Sequence, residues 1–182
     1  MHIFIKMKNE IAIPDGVEAE IHQNKINLKG KEGENSREFN LGKINLEKKD
    51  KKIIISCEKA TKREKRIMNT STAHLKNMIQ GVQKKFEYKL KICSSHFPMN
   101  VKIDGNRATI KNFLGEKVDR KVELPKNVEV KMEKDIITII SIDKELAGQA
   151  AANLEKVTKI RGRDRRIFQD GIYIINKAGK EI

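Results

Sequence analysis

Residues 136–157 read IITIISIDKELAGQAAANLEKV, and this stretch places a strand directly before a helix. Ile136–Ile142 is dense in β-branched residues, which favour strands. Asp143 is a good N-cap residue, and apolar or small side chains recur after it at helical spacing. The face that they form consists of Leu146, Ala147, Ala150, Ala151, Leu154 and Val157. Because small side chains let a helix lie close against a sheet, the stretch predicts an α+β layer.

The same order, strands and then a helix, occurs earlier in the chain. Alternating or apolar runs predict a first set of strands at Val17–His22, Lys25–Leu28, Arg37–Leu41 and Ile53–Cys57. A helix is predicted from about Ser71 to Phe86, and its apolar stripe consists of Leu75, Met78, Ile79, Val82 and Phe86. The second set of strands is predicted at Val101–Ile103, Arg107–Lys111, Val118–Leu124, Val128–Met132 and Ile136–Ile142.

The two sets lie about 84 residues apart, and a repeat at such a period indicates duplication. We therefore predict an α+β protein made of two tandem copies of a small fold. Each copy combines antiparallel β-sheets and one α-helix around a single core. The boundary is predicted near residue 87, so the N-terminal repeat domain spans 1–86 and the C-terminal one spans 87–182.

The charge of the chain is strongly positive and unevenly distributed. Lys and Arg number 39 against 25 Asp and Glu, a formal net charge of +14. Residues 97–155 carry ten basic and ten acidic side chains, whereas residues 156–182 carry eight and three. The second half is thus a neutral body with a basic end. Such a surplus favours a polyanionic partner.

The basic end contains RGRDRRIFQDGIY, residues 161–173, which holds four of the nine arginines of the chain. The planar guanidinium matches a phosphate with two hydrogen bonds and also stacks on bases, so the segment predicts a nucleic-acid surface. The alternative is a solvated charged loop. The candidate nucleic-acid-binding residues are Arg161, Arg163, Arg165, Arg166, Gln169, Asp170, Gly171, Tyr173 and Lys177.

These candidates have different expected roles. The arginines would hold phosphates, and Gln169 would bond a sugar or a base edge. The Asp170-Gly171 turn would set the shape of the loop, because glycine tolerates the left-handed conformation. Tyr173 would stack on a base, although an aromatic residue at the start of a strand is equally typical of a core.

A second basic stretch, Lys59–Arg66, has a net charge of +4 and reads as a connector between strand and helix. It is mostly lysine, a hydrated point charge on a flexible stem, which suits non-specific attraction more than fixed docking. The secondary nucleic-acid-binding candidates are Lys59, Lys62, Arg63, Lys65 and Arg66.

Motifs for catalysis are absent from the sequence. There is no glycine-rich phosphate loop, no GxSxG and no HExxH, and the four histidines at 2, 22, 74 and 96 are scattered. We therefore expect no enzyme and no cofactor. Cys93 and His96 have a spacing that could ligate a metal, but no second pair accompanies them, so no metal site is predicted.

Export and membrane insertion are also not indicated. No apolar run approaches the roughly 18 residues of a membrane span, and MHIFIKMKNE at the N-terminus lacks the apolar core of a signal peptide. Cys57 and Cys93 lie in or beside apolar runs and are most simply reduced thiols. We expect a cytoplasmic protein.

Three motifs carry a family resemblance. They are Asn77-Met-Ile-Gln-Gly-Val82, His96-Phe-Pro98 and Arg163-Asp-Arg-Arg-Ile-Phe-Gln-Asp-Gly-Ile-Tyr173. With them, residues 10–178 resemble large-subunit ribosomal protein six in its archaeal form. Two departures from the usual pattern, Lys31-Glu32 between Gly30 and Gly33 and Lys85-Phe86, lie outside the arginine-rich segment.

The resemblance implies a structural protein of the large ribosomal subunit. It implies binding to large-subunit ribosomal RNA near the sarcin–ricin loop and the stalk base, beside neighbouring large-subunit ribosomal proteins. It also identifies the segment from Arg163 to Tyr173 as the family's RNA-contacting segment. The alternative is an RNA-associated protein-interaction module or a ribosome assembly factor, which a high-salt wash would remove from the subunit.

Overall fold

The computed structural model describes residues 5–182 and divides the chain into two compact units, Met1–Lys85 and Phe86–Ile182. The first four residues of the predicted N-terminal domain, with His2 and the start of the MHIFIKMKNE segment, lie outside the described residues. Each unit is an α+β fold with antiparallel sheets and one α-helix, which confirms the predicted fold class.

The N-terminal unit contains two three-stranded antiparallel sheets and one long helix. Its elements are β1 (Ile5–Ala12), β2 (Glu18–His22), β3 (Lys25–Gly30), β4 (Gly33–Glu38), β5 (Asn45–Lys49), β6 (Lys52–Ala60) and α1 (Lys62–Gln83). One sheet has the order β1-β6-β5 and the other has the order β2-β3-β4. The alternation at Val17–His22 that predicted a strand corresponds to β2.

Helix α1 packs its apolar stripe against the sheets. Met68, Leu75 and Val82 are fully buried on this stripe. At its C-terminal end the helix comes so close to β3 that a Cβ atom on Gly30 would lie 2.7 Å from the carbonyl oxygen of Val82. Only glycine fits this approach without a shift of the backbone.

The start of α1 differs from the prediction. The helix begins at Lys62, not near Ser71, because Thr61 caps it: the Thr61 hydroxyl accepts from the amide of Arg63, and the Thr61 amide donates to the Glu64 carboxylate. The stretch Lys59–Arg66 is therefore no connector but the end of β6 and the first turns of α1. Those turns lack apolar residues, so periodicity alone could not reveal them.

Two smaller boundaries were also wrong. Phe86 opens the next strand instead of ending the helix. The strand expected at Arg37–Leu41 is β4, which ends at Glu38. Both errors came from buried aromatic residues, Phe39 and Phe86, that continue an apolar pattern beyond the end of an element.

The C-terminal unit contains a three-stranded sheet, a five-stranded sheet and one helix. Its elements are β7 (Phe86–Cys93), β8 (Asn100–Asp104), β9 (Arg107–Lys111), a short 3-10 turn (Phe113–Gly115), β10 (Arg120–Glu123), β11 (Glu129–Glu133), β12 (Ile136–Ser141), α2 (Lys144–Val157), β13 (Gly171–Lys177) and β14 (Lys180–Glu181). The sheet orders are β10-β9-β8 and β11-β12-β7-β13-β14, and every pairing is antiparallel.

Helix α2 confirms the prediction from its sequence. Asp143 caps it, with its carboxylate accepting from the amide of Glu145 at 2.8 Å. Ala147, Ala150 and Leu154 are fully buried, so the small residues do lie on the face that packs against the sheet.

The two units repeat one arrangement. The order β1-β6-β5 in the first corresponds to β7-β12-β11 in the second, and β2-β3-β4 corresponds to β8-β9-β10. The second unit adds β13 and β14 beside β7, with Gly171 opposite Cys93. The arginine-rich segment leads from α2 into β13. The pairing of β13 with β7 therefore fixes where this segment lies on the C-terminal unit.

Candidate nucleic-acid interface

Residues 158–170 form the arginine loop, which connects α2 to β13. Its first residue, Thr158, is buried, and its hydroxyl oxygen accepts from the amide of Ile172 at 2.9 Å. The same hydroxyl donates to the carbonyl of Glu155 at 3.3 Å. The two ends of the loop are thereby held together, so the residues between them project from a fixed base.

All four arginines of the loop are exposed, as the prediction requires: Arg161, Arg163, Arg165 and Arg166. Asp164 pairs with Arg166, whose Nη2 donates at 2.7 Å and whose backbone amide donates at 2.9 Å. The side-chain hydrogen bonds from Arg166 lower the pKa of Asp164. Within residues 5–182, the other three arginines have no carboxylate within ion-pair distance, so their charge is available to a ligand.

Asp170 is buried at 2 % exposure and ties the arginine loop to the chain after β7. Its carboxylate accepts from the backbone amides of Ser95 and His96 at 2.6 and 3.0 Å, and it lies 2.6 Å from Nδ1 of His96. Burial raises the pKa of Asp170, but the bonds from His96 and Ser95 outweigh it and bring the pKa to about 2. The group stays ionised at neutral pH.

The burial of Asp170 corrects one part of the site prediction. Its carboxylate is occupied inside the unit and is not available to an RNA. The role that remains is the one assigned to the Asp170-Gly171 turn, which is to set the shape of the loop. Gly171 has φ +153° and a Cβ there would lie 3.3 Å from the ring of Tyr173, so a larger residue would disturb this turn.

Tyr173 is half-buried, and its hydroxyl donates to the carbonyl of Asp170 at 3.4 Å. Burial raises the pKa of the Tyr173 phenol, against the field of Arg165. The tyrosine therefore covers the turn with one part of its ring. Whether it also stacks on a base stays a prediction.

A three-layer stack supports the arginine loop. The Arg163 guanidinium lies over the ring of Phe168, 4.9 Å from its centroid. Phe168 also stacks on the imidazole of His96, with 4.7 Å between ring centroids and 24° between planes. Because His96 is itself bonded to Asp170, the stack and the buried carboxylate form one connected cluster.

One groove of about 680 Å³ brings together four of the predicted residues. It is lined by Cys93, Ser94, Ser95, Arg165, Arg166, Gln169 and Tyr173. Arg161, Arg163 and Lys177 are exposed but do not line it, and Lys177 lies at the far end of β13. The groove therefore offers two guanidinium groups, an amide and hydroxyl groups to one ligand.

The secondary candidates are placed differently. Lys59 lies next to the last residue of β6, and Lys62, Arg63, Lys65 and Arg66 are exposed on the first turns of α1. Cations at a helix N-terminus are opposed by the helix dipole, and Glu64 is the single acid in the first turn. Most of these side chains form a charged helix surface, whereas Arg66 also lines a cavity of about 260 Å³ together with Arg37 and His74.

Sequence reasoning missed three residues of the cluster: Ser95, His96 and Phe168. His96 belonged to a quoted motif and Phe168 to the arginine-rich segment, but nothing in the sequence brought them together. Among the described residues, no group of three His, Cys, Asp or Glu could hold a metal ion. No helix in residues 5–182 has the length and apolar character needed to cross a membrane.

Comparisons with known proteins match both repeats. The family model described as ribosomal protein L6 matches residues 13–85 and 97–171. The large ribosomal subunit protein uL6 of Methanobrevibacter smithii is 41% identical over 177 residues, which cover 97% of this chain and 99% of the relative. The family match ends at Gly171, just after the arginine loop. The alignment with the relative covers 97% of the chain and includes the whole loop.

Proposed function

We propose, because this chain belongs to the ribosomal protein L6 family, that its arginine loop binds large-subunit ribosomal RNA. Membership makes the chain a structural constituent of the large ribosomal subunit, and therefore cytoplasmic. The family is one of structural proteins, not of enzymes. The RNA contact and its place in the subunit are the new parts of the proposal.

The observation that carries the proposal is the display of exposed arginines on a loop fixed by buried groups. Three of the four guanidinium groups have no carboxylate within ion-pair distance among the described residues. The arginine loop that bears them is held by Thr158 at one end and by Asp170 at the other. A fixed loop loses little conformational entropy when it binds, so more of the contact energy remains as affinity.

Arginine suits a folded RNA because such RNA is recognised mostly by shape, backbone and 2′-hydroxyl groups. Guanidinium groups bond phosphates two hydrogen bonds at a time. The groove beside Arg165 and Arg166 adds the amide of Gln169, which can donate to a ribose or to a base edge. The loop thus offers both positive charge for phosphates and a groove whose shape can select one folded RNA.

We further propose, from the family resemblance, that the arginine loop contacts large-subunit ribosomal RNA near the sarcin–ricin loop and the stalk base. The expected partners there are large-subunit ribosomal RNA and neighbouring large-subunit ribosomal proteins. A map of crosslinks between ribosomal RNA and the arginine loop in intact subunits tests this placement. Crosslinks from the loop to a different region of the RNA would refute it.

The RNA contact is tested by the salt dependence of binding. Each phosphate contact contributes a slope of about −0.7 to −0.9 in log affinity against log salt. Replacing Arg163, Arg165 and Arg166 by Gln should flatten the slope by roughly two to three units. The loop residues lie outside the apolar core, so the variant should melt like the parent.

A matched control removes the same charge elsewhere in the C-terminal unit. Lys102, Lys126 and Lys131 are exposed and lie outside the arginine loop. Their replacement by Gln should leave most of the slope in place. Equal slopes for the parent and the loop variant would rule out the loop as the main RNA contact.

A further inference from the structure

The outer face of the Arg163 guanidinium is, we propose, a preformed platform on which one unpaired base of the bound RNA stacks. This inference rests on the proposed RNA binding and specifies what one arginine of the loop recognises. It assigns the plane of the Arg163 guanidinium to a base, while the positive charge of Arg163 still acts on the flanking phosphates together with Arg165 and Arg166. The ligand class is a base that is not already stacked on both sides.

The first support is the environment of the Arg163 side chain. One face lies over Phe168 at 4.9 Å, and the side chain as a whole is exposed. Within residues 5–182 its guanidinium makes no hydrogen bond or ion pair. Arg166 contrasts with it, because Nε and Nη2 of Arg166 are both bonded to Asp164. Arg163 therefore has a free plane, whereas Arg166 is held edge-on by a carboxylate.

The second support is the rigidity of the layers below. Phe168 is half-buried, and its ring stacks on the His96 imidazole with 4.7 Å between the ring centroids. His96 is held through its ring nitrogen and its backbone amide, at 2.6 and 3.0 Å from the Asp170 carboxylate. The orientation of each layer is thus set by the one below it, down to a buried charge. A platform fixed in this way orders few groups when a base arrives.

The chemistry of folded RNA supplies the ligand. Bases in RNA helices are stacked on both faces, whereas bases in loops and bulges can be extruded and stack on aromatic rings or on guanidinium planes. Such stacking tolerates any base, since every base has a π face. An unpaired base on Arg163 would continue the order His96, Phe168, Arg163 by one layer. Its flanking phosphates would remain available to the other arginines of the loop.

The platform also gives the loop a stacking group that does not depend on Tyr173. The ring of Tyr173 is half-buried and packs beside the turn at Gly171, where a Cβ would be only 3.3 Å away. Arg163 is exposed, and Glu116, the carboxyl whose pKa its charge helps to lower, is hydrogen-bonded to Arg120. The stacking role expected of the tyrosine is therefore better met by the arginine.

The test is the substitution Arg163→Lys in the full chain, which keeps the charge and removes the plane. Arg107→Lys is the matched control, because Arg107 is exposed and lies outside the arginine loop. The probes are a large-subunit ribosomal RNA fragment that contains the sarcin–ricin loop and the stalk base, and a fully paired RNA duplex of the same length. Arg163→Lys should weaken binding of the fragment about tenfold. It should leave the salt slope and the affinity for the duplex unchanged, and Arg107→Lys should change neither affinity nor slope appreciably.

Each outcome decides between stacking and charge. Binding of the fragment by Arg163→Lys as tightly as by the parent would overturn the platform, as would an equal loss on fragment and duplex. Arg163→Gln should add a flattening of the slope by about one unit. If the parent protein shows no salt-dependent binding to the fragment at all, the proposed function fails instead. Phe168→Leu, with folding checked by melting, should reproduce the loss of Arg163→Lys without removing any charge.

Discussion

The two units have the same arrangement of strands in their sheets, but they differ in the segment that follows the helix. In the N-terminal unit α1 ends at Gln83, and β7 begins only three residues later at Phe86. In the C-terminal unit α2 ends at Val157, and residues 158–170 intervene before β13. The repeated part is a scaffold, and the added loop and strand carry the residues that we assign to RNA. Function here depends on what is attached to the fold rather than on the fold itself.

The units also differ in how they display positive charge. The candidate RNA-binding cations of the first unit lie at the end of β6 and on the opening turns of α1, on regular structure. The main candidates of the second unit are arginines on a loop held by a buried carboxylate. A regular helix surface attracts any polyanion, whereas a shaped loop can prefer one RNA. Substitutions in each unit, and a change of pH, can test this difference.

The largest effect is expected from Asp170→Ala. The change leaves the amides of Ser95 and His96 and the His96 ring without their acceptor, which should destabilise the C-terminal unit by about 3 kcal/mol. Hydrogen exchange should quicken in β7 and β13 and remain nearly unchanged in α1. Asp164→Ala, in the same loop but exposed, is the control and should have little effect on stability. Uniform loss of protection in both units would contradict the local role of Asp170.

A somewhat smaller effect is expected from Ala150→Leu. Ala150 is fully buried on the face of α2 that packs against the sheet, so a larger side chain should cost roughly 1–3 kcal/mol by overpacking. RNA binding should fall with folding, because the arginine loop continues from this helix. Gln149→Leu, one residue earlier and exposed, is the control. Identical unfolding midpoints for parent and Ala150→Leu in urea would show that the helix face is misassigned.

Acid should weaken the C-terminal unit through Asp170. The folded pKa of about 2 lies below the unfolded value of about 3.9. A carboxyl with a lowered folded pKa stabilises the fold above its unfolded pKa and loses that contribution as the pH falls toward the folded value. The unfolding midpoint should therefore decrease between about pH 4 and pH 2. Asp170→Asn should remove this part of the decrease, and parallel pH profiles for the two proteins would refute it.

The smallest effect is expected on RNA selectivity when the cations of α1 are removed. Replacing Lys62, Arg63, Lys65 and Arg66 by Gln should weaken binding to all RNAs alike. The fold should persist, because the helix dipole disfavours cations at these positions. Competition between the ribosomal fragment and an unrelated structured RNA at near-physiological salt measures the selectivity. A loss of discrimination would move the selective site into the N-terminal unit.

Periodicity predicted the strands β2, β3, β6, β8, β9 and β12 and the core of both helices, but no strand was predicted at β1, β5, β7 or β13. The alternation at β2 and the small residues of α2 were sufficient to predict these elements, because one face of each is buried and the other faces solvent. The first turns of α1 escaped because Lys62–Arg66 are all charged and contribute no apolar stripe. The local signal there was the pairing of Thr61 with Glu64, which is a capping box.

The candidate site was predictable in part. The exposure of the arginines followed from their charge, since such groups are rarely buried without partners. The burial of Asp170 did not follow, because its partners Ser95 and His96 lie 75 and 74 positions earlier in the chain. Sequence spacing says nothing about a contact at that separation unless the pairing of β7 with β13 is known.

The pairing of β7 with β13 has a consequence for synthesis of the chain. Cys93 leaves the translating ribosome long before Gly171, the residue opposite it in the sheet. Strand β7 can pair with β12 early, but its other edge must wait until β13 has been synthesised. Because chains fold from the N-terminus as they are made, the arginine loop and β13 join the unit after β7, β11 and β12. A nascent chain would thus form this scaffold before it acquires the loop that we propose for RNA binding.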